Sequence, residues 1–198
     1  MCFCQVAVNR KSMMDWYNFC RDLCSDDLLC NRVVLGGPGH IVAIDETLVA
    51  RRKPGNAQGR PVPEQWCFGG VDLATGQFFL TLVPDRSAAT LLAVIQANIA
   101  PGTRVWSDEW AAYRNLNANG YVHETVNHTQ QFVNPVNGVH TNNIESRWAA
   151  CKAYLRRRYG VVRHLLPAYL DEYTWRTRHS RTVTFEDQLA AVRRNYRV

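Results

Sequence analysis

The chain has 198 residues, 46% of them hydrophobic, and a formal net charge of +6. That length suits one domain of ordinary size with a small appendage, and the composition allows a sizeable core. No apolar run approaches the roughly 18 residues of a membrane span, and residues 1–9, followed by Arg10 and Lys11, lack the pattern of a secretory leader, so an intracellular protein is expected.

Ser12 is a suitable cap for a helix through Met13, Trp16, Tyr17, Phe19, Cys20 and Leu23, whose steps of three and four mark one apolar stripe ending near Ser25. Cys2, Cys4, Cys20, Cys24 and Cys30 cluster here, but without paired C-x2-C knuckles they read as free thiols rather than a zinc site. Gly36-Gly37-Pro38-Gly39 is a strong break. It separates an N-terminal helical appendage, 1–36, from a main domain, 37–198. Residues 41–49 form a β-rich run with Asp45 in its middle. Residues 51–63, with four basic residues, two Gly and three Pro, read as an exposed loop. Strands at 66–71 and 78–83 flank a Thr75-Gly76 turn.

Ser87 caps a helix carrying Leu91, Leu92, Ile95 and Ile99, closed by Pro101-Gly102. A short strand, 103–107, delivers Asp108. A short helix over 110–116, a strand over 121–126 and a loop over 127–141 follow. A long helix runs from Asn142 to about Arg158, and two more helical patterns cover about 165–178 and 184–195. Three strands followed by alternating helices and strands predict an α/β domain: a mixed five-stranded sheet flanked by helices, with extra C-terminal helices.

Three acids stand out. Asp45 follows Ile41-Val42-Ala43-Ile44, and a carboxylate on a central strand is costly unless paired or bound to a cation. Asp108 ends a strand, where open α/β sheets build their sites. Glu145 lies one turn into the long helix, beside the buried stripe of Ile144, Trp148, Cys151 and Leu155. Each has a local alternative: Asp45 as a buried acid with a basic partner, Asp108 as a helix N-cap, Glu145 as the closing residue of a capping box from Asn142. The intervals are 62 residues between the aspartates and 36 from Asp108 to Glu145. Charge is divided unevenly: residues 1–146 carry a net −2 and residues 147–198 a net +8. A basic segment beside an acidic cluster suits a polyphosphate partner or, more simply, an Arg-rich solvated face.

Several ordered strings carry a resemblance: Ile44-Asp45-Glu46-Thr47, Gln65-Trp66-Cys67-Phe68-Gly69-Gly70, Pro84-Asp85-Arg86-Ser87, Ser107-Asp108-Glu109-Trp110-x-x-Tyr113, His140-Thr141-Asn142-Asn143-Ile144-Glu145-Ser146-x-Trp148 and Tyr169-Leu170-Asp171-Glu172-Tyr173-x-Trp175-Arg176. Over about residues 12–178 the chain resembles the ISXO-type transposase domain of bacterial insertion sequences, and most closely the Merlin transposases of animal genomes. The resemblance implies an RNase H-like DDE domain that cuts and rejoins DNA, with Asp45, Asp108 and Glu145 as catalytic residues and ligands of two Mg2+ or Mn2+ ions. Asp45 would bridge both ions while Asp108 and Glu145 each hold one. It also implies double-stranded DNA as partner, a homodimer or higher oligomer on that DNA, and a nuclear location if the source is an animal genome.

Lys152 and Arg156, on the edge of the helix that carries Glu145, are candidates for phosphate contacts, as are Arg51, Arg52, Lys53 and Arg60. The bland readings are surface charge and a solvated loop. Arg156-Arg157-Arg158 also suits a nuclear address. His140 and Asn142 are auxiliary candidates, and Trp148 reads as core. Family members usually carry a longer N-terminal DNA-binding region, of which 1–36 would be a remnant. The alternatives are therefore a truncated or domesticated DNA-binding protein without transposition activity, or a metal-dependent nuclease that cuts without joining.

Overall fold

The structure is a computed structural model that describes residues 9–50, 64–126, 139–158, 161–179 and 185–196. In chain order the elements are α1 (Arg10–Cys30), β1 (Leu35–Gly36), β2 (Ile41–Ala50), β3 (Gln65–Asp72), β4 (Phe78–Val83), α2 (Ala88–Asn98), β5 (Ile99–Ala100), β6 (Arg104–Asp108), β7 (Val122–Val126), α3 (Asn142–Arg156), α4 (Leu166–His179) and α5 (Phe185–Asn195). They divide into two compact units. One takes in residues 33–162; the other takes in residues 1–32 and 163–198.

The unit of residues 33–162 is built on a five-stranded sheet in the order β4-β3-β2-β6-β7. The β2–β3 and β3–β4 pairs are antiparallel, whereas β2–β6 and β6–β7 are parallel. Three meandering strands followed by two parallel ones added on the other side of the first strand is the RNase H-like arrangement. Strand alternation sorts side chains onto two faces. On one face Val42, Ile44, Phe68, Phe79 and Val105 pack with Leu91 and Ile95 of α2 and with Tyr113. The other face takes α3, which buries Ile144, Trp148 and Cys151.

Gly69 shows why α3 can approach so closely. A Cβ there would lie 2.7 Å from both Leu80 Cδ2 and Trp148 Cη2, and 2.9 Å from the Phe79 carbonyl oxygen. The missing side chain opens a slot for the Trp148 indole, directly across the β2–β3 register from Asp45.

Ser87 caps α2 as expected, its hydroxyl accepting from the Thr90 backbone N–H. Other local expectations change. Residues 110–116 form no α-helix. Short 3-10 turns stand at Ala111–Tyr113 and Asn117–Asn119 instead, because so short a segment cannot repay helix nucleation. Thr141, not Asn142, is the N-cap of α3. β1 and β5 pair in a small parallel ladder that periodicity did not reveal.

In the second unit Asn9, rather than Ser12, caps α1, and the helix continues past Ser25 to Cys30. Leu23 and Cys24 are buried with Trp175 and Ala191, while Met13, Trp16, Tyr17 and Phe19 are exposed. Of the expected apolar stripe only its C-terminal end, Leu23, is buried. Asp27, only 2% exposed, organises this unit. It accepts hydrogen bonds from Trp175 Nε1 at 2.8 Å, from Arg194 Nε at 3.0 Å and Nη2 at 3.1 Å, and from Asn31 Nδ2 at 3.0 Å. Burial alone would raise its carboxyl, but the bonds from Arg194 and Trp175 hold it below the ordinary carboxylate range. Among the described residues no helix is long and apolar enough to cross a membrane.

Candidate active site

Asp45 is the fifth residue of β2, at the point where that strand passes beyond its parallel neighbour β6. The β2–β6 register pairs Ala43 with Trp106. Two residues further along each strand stand Asp45 and Asp108, so both carboxylates leave the sheet on the same face, the one that α3 covers. Burial pushes the Asp45 carboxyl up to about 7, and the charges of Glu46 and Asp108 push the same way. Its side-chain donor is the Trp148 indole, with Nε1 3.0 Å from Asp45 Oδ2. The basic partner that would make Asp45 an ordinary buried ion pair is not its donor.

Asp108 closes β6. Its Oδ1 accepts from the Trp110 backbone N–H at 3.0 Å, a local bond two residues on; it is not the helix N-cap considered from sequence, because no helix starts at Trp110 and the 3-10 turn there has Trp110 itself at its N-cap. Beneath it, the Ser107 hydroxyl donates to the Asp108 carbonyl at 2.7 Å and lies 2.8 Å from His123 Nε2. These contacts fix the strand end. Glu46 projects from the opposite face of β2. Its Oε1 is buried without a hydrogen-bond partner, although the Tyr113 hydroxyl faces it. Burial raises the Glu46 carboxyl, Asp108 adds to the rise, and Arg86 opposes it.

Glu145 sits in the first turn of α3. The Thr141 hydroxyl donates to its Oε1 at 3.0 Å, and its backbone N–H bonds the Thr141 carbonyl at 3.0 Å. The structure thus brings Asp45 and Asp108 together and engages Glu145 with Thr141. Among the described residues no three acidic, His or Cys side chains gather as a metal cluster. Glu145 is nonetheless three residues from Trp148, and neighbours at that helical spacing stand about 5–6 Å apart between Cβ atoms.

His140 stacks edge-on against Trp106 with ring centroids 5.4 Å apart, and its Nδ1 is buried without a hydrogen-bond partner. Asn142 is the first residue of α3 and is exposed. Lys152 lies near the buried thiols of Cys67 and Cys151. Burial raises both thiols, Cys151 to about 12, while Lys152 pulls them down. Arg156 is exposed in the last turn of α3. Arg51, Arg52, Lys53 and Arg60 fall outside the described residues.

Sequence reasoning missed three contributors. Trp148 is both core and hydrogen-bond donor; the signal was available, since a buried indole N–H needs an acceptor. Glu46 follows Asp45 and so had to face the other side of the sheet. Gly69 lies opposite Asp45 only once the register is known. The donor set of Asp45 and Asp108 is all oxygen, which fits a hard divalent cation, and a cation between them would offset both the burial that chiefly raises Asp45 and the smaller push from neighbouring acids.

Residues 35–178 match the family described as the ISXO2-like transposase domain. The chain is 28% identical over 102 residues to an uncharacterized transposase-like protein of Haemophilus influenzae, a match covering 52% of this chain and 81% of that protein. Among solved structures it is similar to a chain of the simian T-cell lymphotropic virus intasome in complex with PP2A regulatory subunit B56 gamma, at 16% identity and TM-score 0.48, covering 77% of this chain. It spans about half the length of that relative, 53%. It is also similar to the BIV integrase catalytic core domain, at 15% identity and TM-score 0.45, covering 80% of this chain and 99% of that one. The HTLV-2 integrase catalytic core domain in complex with magnesium matches at 14% identity and TM-score 0.41, covering 73% and 88%.

Proposed function

Because the chain belongs to the ISXO2-like transposase domain family, we propose that it is a metal-dependent polynucleotidyl transferase that cuts DNA and joins the freed end to a target. The observation that carries this reading is the pair of strand-end carboxylates on one face, with half-buried Asp45 raised to about 7 by its surroundings and by neighbouring acids. Asp45 and Asp108 would hold the metal. Glu145 is assigned as the third ligand, because it lies one helical turn from the indole that touches Asp45. Its carboxylate, which accepts from the Thr141 hydroxyl, would then turn from that bond to the metal.

Two Mg2+ or Mn2+ ions, when bound, supply positive charge for the attacking and leaving oxygens of an in-line displacement at phosphorus. The chain's own part is positional. Trp148 holds Asp45 in one orientation, and the Trp110 N–H with the Ser107 contacts holds Asp108. Water attacks the phosphorus at the transposon end and breaks its P–O3′ bond, leaving a 5′-phosphate and a free 3′-hydroxyl; that hydroxyl then attacks a target phosphodiester, forming a new P–O3′ bond and displacing the target's own 3′-oxygen as a hydroxyl. The partners are transposon ends and target DNA, with Lys152, Arg156, Arg51, Arg52, Lys53 and Arg60 at the backbone and two or more copies of the chain on one DNA.

The test is Mn2+-dependent cleavage of DNA, followed by strand transfer with pre-cut ends. The parent chain should do both, and Asp45→Ala and Asp108→Ala should lose at least about 100-fold in each, roughly what one preorganised charge contributes. Cleavage without joining would make the chain a nuclease. A second reading, a DNA-binding protein without this chemistry, draws on the engagement of Glu145 with Thr141. It is upheld if Mn2+ neither binds nor supports cleavage while DNA binding persists.

A further inference from the structure

Trp66, Arg86 and Trp110 form a stack that the chemistry above does not use. The Arg86 guanidinium lies 4.1 Å from the Trp66 ring centroid and 4.6 Å from that of Trp110. The Trp110 indole N–H also donates to the Arg86 carbonyl at 3.3 Å. The ring is therefore oriented by two separate contacts to one residue. Trp66 is half-buried and packs against the main core, which anchors the stack. Trp110 nevertheless stays 41% exposed.

Its position is as telling as its exposure. The Trp110 backbone N–H donates to Asp108 Oδ1, and two residues of chain reach no further than about 7 Å. A phosphate held at Asp45 and Asp108 would thus have a rigid, solvent-open indole within one nucleotide of it. Stacking on an aromatic ring accepts any base, because every base has a π-face, and single-strand sites combine such rings with positive charge. Arg86 supplies that charge on the covered side of the ring. A ring already fixed in place loses less freedom when a ligand arrives.

Resting on the polynucleotidyl-transferase reading, we infer that Trp110, backed by Arg86 and Trp66, is a stacking platform for an unpaired DNA base next to the phosphate being cut. Opening the duplex there leaves a base without its partner, and the indole replaces part of the lost stacking.

The experiment uses the full chain and duplex oligonucleotides carrying 2-aminopurine either in a single unpaired position or fully paired, in buffer containing chelator. With the parent chain and with Trp110→Phe, emission of the unpaired probe should change on binding. With Trp110→Ala the change should vanish, and affinity for the unpaired DNA should fall roughly tenfold or more, with little loss for paired DNA. Arg86→Ala, which leaves the indole but removes its support, should weaken the response. Circular dichroism checks that each variant folds. An unaltered response in Trp110→Ala, or a parent chain that treats paired and unpaired DNA alike, overturns the inference. Asp45→Ala separates this from the enzyme reading, since it should abolish Mn2+-dependent cleavage yet keep the emission change. A response without parental cleavage sinks the enzyme reading alone. Cleavage without a Trp110-dependent response sinks the platform alone.

Discussion

Asp45 has an indole for a donor and two carboxylates for neighbours, and each has a measurable consequence. In the unfolded chain its carboxyl titrates near 3.8, whereas in the folded chain it titrates near 7. The folded state therefore holds the proton more tightly, and stability contributed by Asp45 is fully present below about pH 4 and is lost as pH rises to about 7. At about 1.4 kcal/mol per pH unit this amounts to at most about 4 kcal/mol. The Tm of the parent chain in chelator, minus that of Asp45→Asn, should fall across pH 4 to 7 and then level off. A flat difference would contradict the burial of this carboxyl. Trp148→Phe keeps an aromatic ring in the Gly69 slot but removes the donor, and chemical denaturation should record a loss of about 1–2 kcal/mol. The exceptional placing of Asp45 was legible in sequence, because an acid that interrupts an apolar run must find a proton, a donor or a cation to offset its burial. Trp148 was legible only as core, since one side chain fills both roles and periodicity reports only the packing.

At the scale of elements, the close seating of α3 on the sheet depends on a residue with no side chain. Gly69→Ala places a methyl group against Leu80, Trp148 and the Phe79 carbonyl, and the backbone oxygen cannot move aside as a side chain can. Destabilisation of about 1–3 kcal/mol is expected, together with weaker Mn2+ binding if α3 carries a ligand; calorimetry measures both. Ser87→Ala provides a contrast of local origin. It removes the cap of α2 and should cost about 1 kcal/mol by thermal unfolding, with metal affinity unchanged. The strand ends and α2 could be read from the chain because alternation, caps and Pro-Gly breaks are local signals. The 3-10 turns after Trp110 and the β1–β5 ladder could not, because both are too short to show a period.

For the whole molecule, two units carry the fold, and the one with α1, α4 and α5 is organised by a buried acid, Asp27. Asp27→Ala would leave the buried Trp175 N–H without its acceptor and free the half-exposed Arg194 to solvent, a loss of about 1–3 kcal/mol, mostly from the unsatisfied indole N–H. Hydrogen exchange should show faster opening of α1, α4 and α5 with the five-stranded sheet unaffected; uniform acceleration everywhere would contradict the division into units. By itself the sequence determined the order of the five strands of the main sheet and of α1 to α5, the positions of Asp45 and Asp108 on their strands, and the ordered strings that tie the chain to its family. All of these depend on neighbours a few residues apart. Only the tertiary structure decided that Trp148 reaches Asp45 across 103 residues and that Asp27 binds Trp175 across 148. Contacts closed over such spans follow from which faces pack together, and no local period encodes that.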